Sequence, residues 1–166
     1  MYIFEFTDAS IKIYNSKSKK LIKEDIPLGV IKDNKIYDYL KLLSILNKIV
    51  NKHKLINSLF RVKVKILIFE KMSPSEIYLF KYSFKFTSNV VTEIVNVSKL
   101  FKGNYLLVSG NIVYMNNKVL KKLKKCDYIL IGNSDSFEDI KNSLEKKYQV
   151  RILEYENSDT IIYEKV

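Results

Sequence analysis

Tyr2-Ile3-Phe4-Glu5-Phe6-Thr7-Asp8-Ala9-Ser10-Ile11-Lys12-Ile13 opens the chain, and its reading decides the fold class. Tyr2, Phe4 and Phe6, then Ile11 and Ile13, recur at the period of two that places alternate side chains on one face of a strand. Thr7-Asp8-Ala9-Ser10 between them has turn composition, so the stretch reads as a β-hairpin starting a sheet. Lys19 to Lys23 adds a third strand. Asp25-Ile26-Pro27-Leu28-Gly29 ends it, because proline and glycine interrupt regular structure.

Beyond this meander the period changes. From Tyr37 onward Leu40, Leu43, Ile45, Leu46, Ile49 and Val50 recur at helical spacing, with Asp38 at the start and Lys48 and Lys52 near the end to complement the helix dipole. Val62, Val64, Ile66 and Ile68 return to strand alternation. Ser73-Pro74-Ser75-Glu76 then supplies an N-cap, a proline in the first turn and a glutamate at the third position of a capping box, which predicts a second helix to about Lys85. Val90 to Val97 reads as a strand, and Asn104 to Val108 with Asn111 to Met115 as a hairpin about Ser109-Gly110. Leu120 and Leu123 predict a short basic helix. Tyr128 to Ile131 is a buried strand ending in Gly132, and Ser134-Asp135-Ser136 caps a helix carrying Phe137, Ile140 and Leu144. Gln149 to Leu153 and Thr160 to Tyr163 close the chain as strands. Alternation of strand and helix after the meander implies crossover connections, hence an α/β protein with a mixed sheet covered by helices.

The bulk numbers suit that class. The chain has 166 residues, 47% of them hydrophobic, enough to fill the core of one domain. Its longest apolar runs, such as Val64 to Phe69, fall far short of the roughly 20 residues that cross a bilayer. The opening residues lack the features of an export signal, and Cys126 is the one cysteine, so a cytoplasmic protein without disulfides is expected. The net charge is +11. Lysines cluster at Lys17, Lys19, Lys20 and Lys23 and again at Lys118, Lys121, Lys122, Lys124 and Lys125. The second group is the candidate anion-binding segment, for nucleic acid or an anionic membrane surface. Arg61 and Arg151 are the only arginines, whereas nucleic-acid readers lean on the bidentate arginine fork, so nucleic acid is the less favoured partner.

Catalytic constellations are hard to assemble from this composition. One histidine, His53, and one cysteine cannot build a zinc site. His53 lies in Asn51-Lys52-His53-Lys54, where cationic neighbours oppose protonation, and it reads as a surface residue. Cys126 lacks an identifiable histidine partner and reads as a small buried hydrophobe. No phosphate-cradling glycine motif occurs among the four glycines. Glu24 with Asp25, and Glu138 with Asp139, are adjacent in sequence and read as caps and solvated positions.

Ile3 to Ile68 resembles the first subdomain of the actin-like ATPases, in the branch that includes PilM, FtsA and MreB. Glu5-Phe6-Thr7-Asp8-Ala9-Ser10-Ile11-Lys12 stands where the family has D-x-G-[ST]-[ST]-x-[IV]-K. Ile26-Pro27-Leu28-Gly29-Val30-Ile31-Lys32-Asp33-Asn34-Lys35-Ile36-Tyr37-Asp38 is similar to the family's following extended segment, and the long helix and strand come in the same order. Ser73 to Phe86 resembles the next helix, and Ile129-Leu130-Ile131-Gly132-Asn133 the late adenosine loop. The resemblance implies a ribonuclease H-like, actin-like half with strand-strand-strand-helix-strand-helix order over residues 1–102. Residues 103–166 would then be a shortened remainder packed on it as one cooperative unit, a vestigial second lobe.

The departures from the family carry the functional expectation. The family's aspartate orients Mg2+ and water, and its glycine lets the hairpin backbone approach phosphates; Glu5 and Thr7 replace them, and the branched Cβ of threonine crowds that approach. Val108-Ser109-Gly110-Asn111 keeps a glycine without the second aspartate, and the late double glycine is reduced to Gly132-Asn133. Glu5, Thr7, Ser10, Lys12, Gly132 and Asn133 are therefore vestigial nucleotide-site positions, with ATP and Mg2+ disfavoured as cofactors and no catalytic residue expected. The resemblance to PilM and to the cytoplasmic domain of GspL implies a scaffold that binds a protein partner. That partner would be a short peptide of an inner-membrane protein, at the cytoplasmic face of a type IV pilus or type II secretion platform. An ATP-binding cytoskeletal element of MreB or FtsA type, and a basic protein binding nucleic acid or anionic membrane, stand as alternatives.

Overall fold

A computed structural model of the protein describes residues 1–33, 35–56, 60–85 and 89–166. Asn34 of the extended motif and Phe86, the expected end of the second helix under the resemblance, lie outside the described residues. The fold is mixed α/β. It divides into two compact units: Met1–Ile68 with Met72–Val95, and Phe69–Lys71 with Asn96–Val166.

The first unit is built on β1 (Tyr2–Phe6), β2 (Ser10–Asn15) and β3 (Lys20–Asp25), an antiparallel meander as the alternation predicts. The segment after Pro27 forms a two-stranded ribbon, β4 (Ile31–Lys32) and β5 (Lys35–Ile36). It leads into α1 (Tyr39–Lys52), whose first turn is capped by the Asp38 carboxylate accepting from the Lys41 N–H at 3.0 Å. Leu42, Leu46, Ile49 and Val50 form its buried stripe. At about 1.5–3 kcal/mol for each fully buried aliphatic side chain, that stripe and not intrinsic propensity holds the helix. β6 (Val62–Ile68) then runs parallel to β1, pairing Glu5 with Leu67. α2 (Pro74–Tyr82) begins at the capping box read from the sequence: the Ser73 hydroxyl accepts from the Glu76 N–H, and the Glu76 carboxylate accepts from the Ser73 N–H at 2.7 Å. It ends at Tyr82, short of Lys85. β7 (Val90–Asn96) completes a sheet ordered β3-β2-β1-β6-β7. Phe4 packs edge-on to Phe84 with ring centres 4.8 Å apart, and Phe6 lies 5.2 Å from Phe80, so the β1 face and the α2 region share one aromatic core.

The second unit has its own sheet. After a single 3-10 turn at Val97–Lys99 come β8 (Tyr105–Ser109), β9 (Ile112–Met115) and β10 (Lys118–Val119), again antiparallel. β11 (Asp127–Asn133) runs parallel to β8, then α3 (Phe137–Tyr148), then β12 (Arg151–Asn157) parallel to β11, then α4 (Thr160–Lys165). The order is β10-β9-β8-β11-β12. Leu106, Val108, Tyr128 and Leu130 of the sheet bury against Phe137 and Leu144 of α3. Phe69–Lys71, from the link between β6 and α2, belongs here: Phe69 is buried with its ring 5.6 Å from Tyr114, and the Lys71 N–H donates to the Asn117 carbonyl at 3.0 Å.

Leaving the β4–β5 ribbon aside, both sheets place their five strands in the sequence third, second, first, fourth, fifth. The expected strand-strand-strand-helix-strand-helix order along the chain is present in the first unit, and the second unit repeats the spatial order of strands. The mixed parallel and antiparallel pairing expected from the alternation is what forms, in two five-stranded sheets, the second made by residues after Asn96. α1 separates the third and fourth strands of the first sheet, whereas Leu120 to Cys126 does so without a helix in the second.

Two expected elements differ. Leu120 and Leu123 are not helical, because Lys118 and Val119 pair with Met115 and Tyr114 and the Leu120 N–H continues the ladder to the Val113 carbonyl at 2.8 Å. Thr160 to Tyr163 is helical, not a strand: the Asp159 carbonyl accepts from the N–H groups of both Ile162 and Tyr163 at 3.0 Å, closing a turn that the β-branched composition does not announce. Among the described residues no helix is long and apolar enough to cross a membrane.

Candidate functional site

In the first unit the β1–β2 hairpin gathers four of the six positions that the resemblance marks as vestigial for nucleotide. Glu5 and Lys12 are cross-strand partners in the ladder, which points both side chains to the same face. The Lys12 ammonium stands 3.5 Å from the Glu5 carboxylate, with the two side chains 7% and 0% exposed. The cation that the motif carries is thereby spent on a carboxylate, and the pair is desolvated.

Thr7 and Ser10 close the turn on itself. The Thr7 N–H donates to the Ser10 carbonyl at 2.9 Å, the Thr7 hydroxyl donates to the same oxygen at 3.0 Å, and the Ser10 N–H donates back to the Thr7 hydroxyl oxygen at 3.0 Å. The two hydroxyls lie 3.0 Å apart. At the tip, the Ala9 carbonyl accepts from the Ile26 N–H at 2.8 Å as the chain leaves β3. Thr7 and Ser10 are buried, and their backbone donors point into the hairpin.

The other two positions, Gly132 and Asn133, end β11 in the second unit. Gly132 pairs with Val108 on one side and Asn157 on the other. Its φ is +147°, and a Cβ built there would fall 2.0 Å from the Val108 carbonyl oxygen and 2.8 Å from its carbon. The glycine is required by the close approach of β8 to β11, so its freedom is used inside the sheet. The Asn133 amide donates to the Asp159 carboxylate at 3.2 Å.

Around them lies a polar network that sequence reasoning missed. The Ser134 hydroxyl donates to the Asn111 side-chain carbonyl at 3.0 Å, the Ser134 N–H donates to that of Asn157 at 3.2 Å, and the Ser136 N–H donates to the Ser134 hydroxyl oxygen at 3.1 Å. Ser109 is buried beside it at the end of β8. These residues follow the carboxyl ends of the parallel strands β8, β11 and β12, the edge at which open α/β sheets present ligand-binding loops. The signal was present as small polar triplets at the ends of three strands: Ser109-Gly110-Asn111, Asn133-Ser134-Asp135 and Asn157-Ser158-Asp159. Chemically the network ties three loops together. The partners of Ser134 are amides, which cannot take its proton at neutral pH, so the arrangement does not activate a nucleophile.

His53 meets Glu24, contrary to its reading as a surface residue among cations. One Glu24 carboxylate oxygen lies 2.5 Å from the His53 ring nitrogen and 2.8 Å from the Lys52 ammonium. The hydrogen bond from Lys52, then that from His53, lowers the Glu24 pKa below its ordinary 4.5. A carboxylate depressed on folding contributes stability at pH values above its unfolded pKa, and that contribution disappears as the pH falls through the folded value. Glu24→Gln is therefore expected to lower unfolding free energy by up to about 1 kcal/mol at neutral pH and by less at about pH 3. Urea unfolding at both pH values checks this; a difference that persists undiminished in acid would contradict it.

Of the lysine segment, Lys118 sits on β10, and Lys121, Lys122, Lys124 and Lys125 lie exposed along the non-helical stretch that follows. Cys126 is half-buried against the second core, where its sulfur accepts from the Asn104 amide at 3.5 Å.

No family model matches the chain, and no curated protein matches it. Among solved structures, the crystal structure of MreB5 of Spiroplasma citri bound to ADP is similar, with 12% sequence identity and a TM-score of 0.46, over 92% of this chain. The chain covers 59% of the length of that MreB5 chain.

Proposed function

We propose that the protein is a non-catalytic scaffold of actin-like descent that works by binding a protein partner. The observation that carries this reading is the β1–β2 hairpin. Where a phosphate-binding hairpin would offer a glycine backbone and a metal-orienting aspartate, this one pairs Glu5 with Lys12 and spends the Thr7 and Ser10 donors on its own turn. A phosphate group arriving there would have to break internal hydrogen bonds in a buried turn, each break leaving a donor or acceptor unsatisfied.

The partner we favour is an extended peptide added to a sheet edge. β12 is an edge strand of seven residues, with Leu153 and Tyr155 exposed at 53% and 48%, and edge strands offer the unpaired backbone groups that strand addition uses. The resemblance to PilM extends the proposal to a short segment of an inner-membrane protein at a pilus or secretion platform, with the scaffold at the cytoplasmic face.

The deciding experiment is an equilibrium titration with ATP in the presence and absence of Mg2+, read by calorimetry and by the shift in melting temperature. A ligand at a hundred times its Kd stabilises the folded state by about 2.7 kcal/mol, which a melting curve resolves easily. The expected result is no Mg2+-dependent stabilisation. Tight, Mg2+-dependent binding that is lost in a hairpin variant such as Thr7→Val would sink the scaffold reading in favour of a nucleotide-binding cytoskeletal element.

A further inference from the structure

We propose that the second unit carries a binding site for a multiply phosphorylated small anion, in the hollow beside the β9–β10 hairpin. The hollow measures about 720 Å³, in the range of pockets that hold whole small molecules and more than a single inorganic ion requires. Lys71, Lys118, Lys121 and Lys122 line it, with Glu70 the only carboxylate among its lining residues. Met115, Val119 and Leu120 supply an apolar floor. A second hollow of about 480 Å³ shares Met115, Asn116 and Lys122 and adds Lys124, so the positive lining continues along the segment.

The backbone that presents these ammonium groups is fixed. Asn116 and Asn117 take left-handed φ values of 50° and 66°, the conformation of a tight two-residue hairpin, which asparagine tolerates better than most residues. The Asn117 carbonyl accepts from the Lys71 N–H at 3.0 Å, and its side chain accepts from the Ser98 hydroxyl. Lys71 and Lys118, distant in sequence, are thus anchored to the same turn. Lys118 is held by the ladder to Met115, and Leu120 by its bond to Val113. Four lysines line one hollow, and a ligand bearing several negative charges relieves the repulsion among them as it binds.

Lysine acts on phosphate as a point charge, whereas nucleic acids are read through arginine forks and aromatic stacking. Among the described residues the lining of both hollows holds no arginine and one aromatic residue, Tyr128, which is buried. The chemistry therefore suits clustered phosphates on a compact skeleton, free or as a lipid headgroup, and does not suit a strand of bases.

The test titrates the full chain with inositol hexakisphosphate in the absence of Mg2+, at low and at physiological salt. Phosphatidylcholine vesicles, with and without phosphatidylinositol bisphosphate, form a parallel arm, and a single-stranded oligonucleotide a third. We expect saturable binding that weakens with salt, and at least about a tenfold loss of affinity in Lys118→Gln/Lys121→Gln/Lys122→Gln. The control, Lys17→Gln/Lys19→Gln/Lys20→Gln, removes as much charge from the first unit and should bind as the wild type does. Arginine at the same three hollow positions keeps the charge and should keep the affinity, which separates loss of charge from loss of fold. Binding to the soluble anion assigns the free ligand; binding to the phosphoinositide vesicles alone assigns the headgroup. Equal losses in the two glutamine triples, a preference for the oligonucleotide, or no binding to any probe would overturn the proposal. None of these results depends on the hairpin at Thr7, so the ATP titration and this one can fail independently.

Discussion

Gly132→Ala is expected to destabilise the protein by on the order of 3–5 kcal/mol, a large share of the stability of an ordinary domain. Two costs add. A φ of +147° is strained for an L-residue, and the new methyl would sit 2.0 Å from the Val108 carbonyl oxygen, which belongs to a hydrogen-bonded strand and cannot rotate away as a side-chain tip could. Gly110→Ala is the matched comparison. Gly110 also has positive φ, +58°, but no heavy atom lies within 4 Å of its would-be Cβ. Only the left-handed penalty of about 1–2 kcal/mol applies there. Urea denaturation of both variants gives the contrast directly, and equal midpoints would show that β8 and β11 do not approach as closely as described.

Lys12→Ala should cost about 3–5 kcal/mol, because it removes the ammonium 3.5 Å from a buried carboxylate, that of Glu5. The double replacement Glu5→Leu/Lys12→Met should recover most of that loss and could exceed the wild type, since an apolar pair of similar size avoids desolvating two charges. A double-mutant cycle on unfolding free energies isolates the coupling. A cost below about 1 kcal/mol for Lys12→Ala would place the pair among solvent-screened surface bridges and remove the main physical support for an internally committed hairpin.

Local signals carried much of the fold. Alternation in Tyr2 to Ile13 announced the first hairpin, and Ser73-Pro74-Ser75-Glu76 announced a capping box that forms with both of its hydrogen bonds. Both are determined by residues within a few positions of each other. Leu120 and Leu123 misled because helical spacing and extended structure are compatible with the same letters, and the choice was made by Val113 and Met115, which lie outside the segment. Thr160 to Tyr163 misled because β-branched composition favours a strand until the Asp159 carbonyl closes the turn.

The candidate site was legible in its members and not in their roles. Glu5 and Lys12 fall on the same face by alternation, yet their ion pair depends on the register across the hairpin. Gly132 resembles the remnant of an adenosine loop, whereas its necessity comes from a carbonyl 24 positions earlier, at Val108. The recurrence of one strand order in both sheets left no repeat in the letters, because topology constrains where strands lie and only loosely which apolar residues fill them.

Phe69–Lys71 sets a limit on how the molecule can be dissected. The tripeptide is encoded between β6 and α2, inside the stretch that makes the first unit, but its ring and its N–H serve Tyr114 and Asn117 of the second. A fragment beginning at Asn96 discards them, and one beginning at Phe69 takes α2 and β7 away from their own sheet. Each unit is made of two separate chain segments, so no single cleavage yields either unit whole. Ribosomal synthesis also lays down part of the second unit's packing before any of its strands exist.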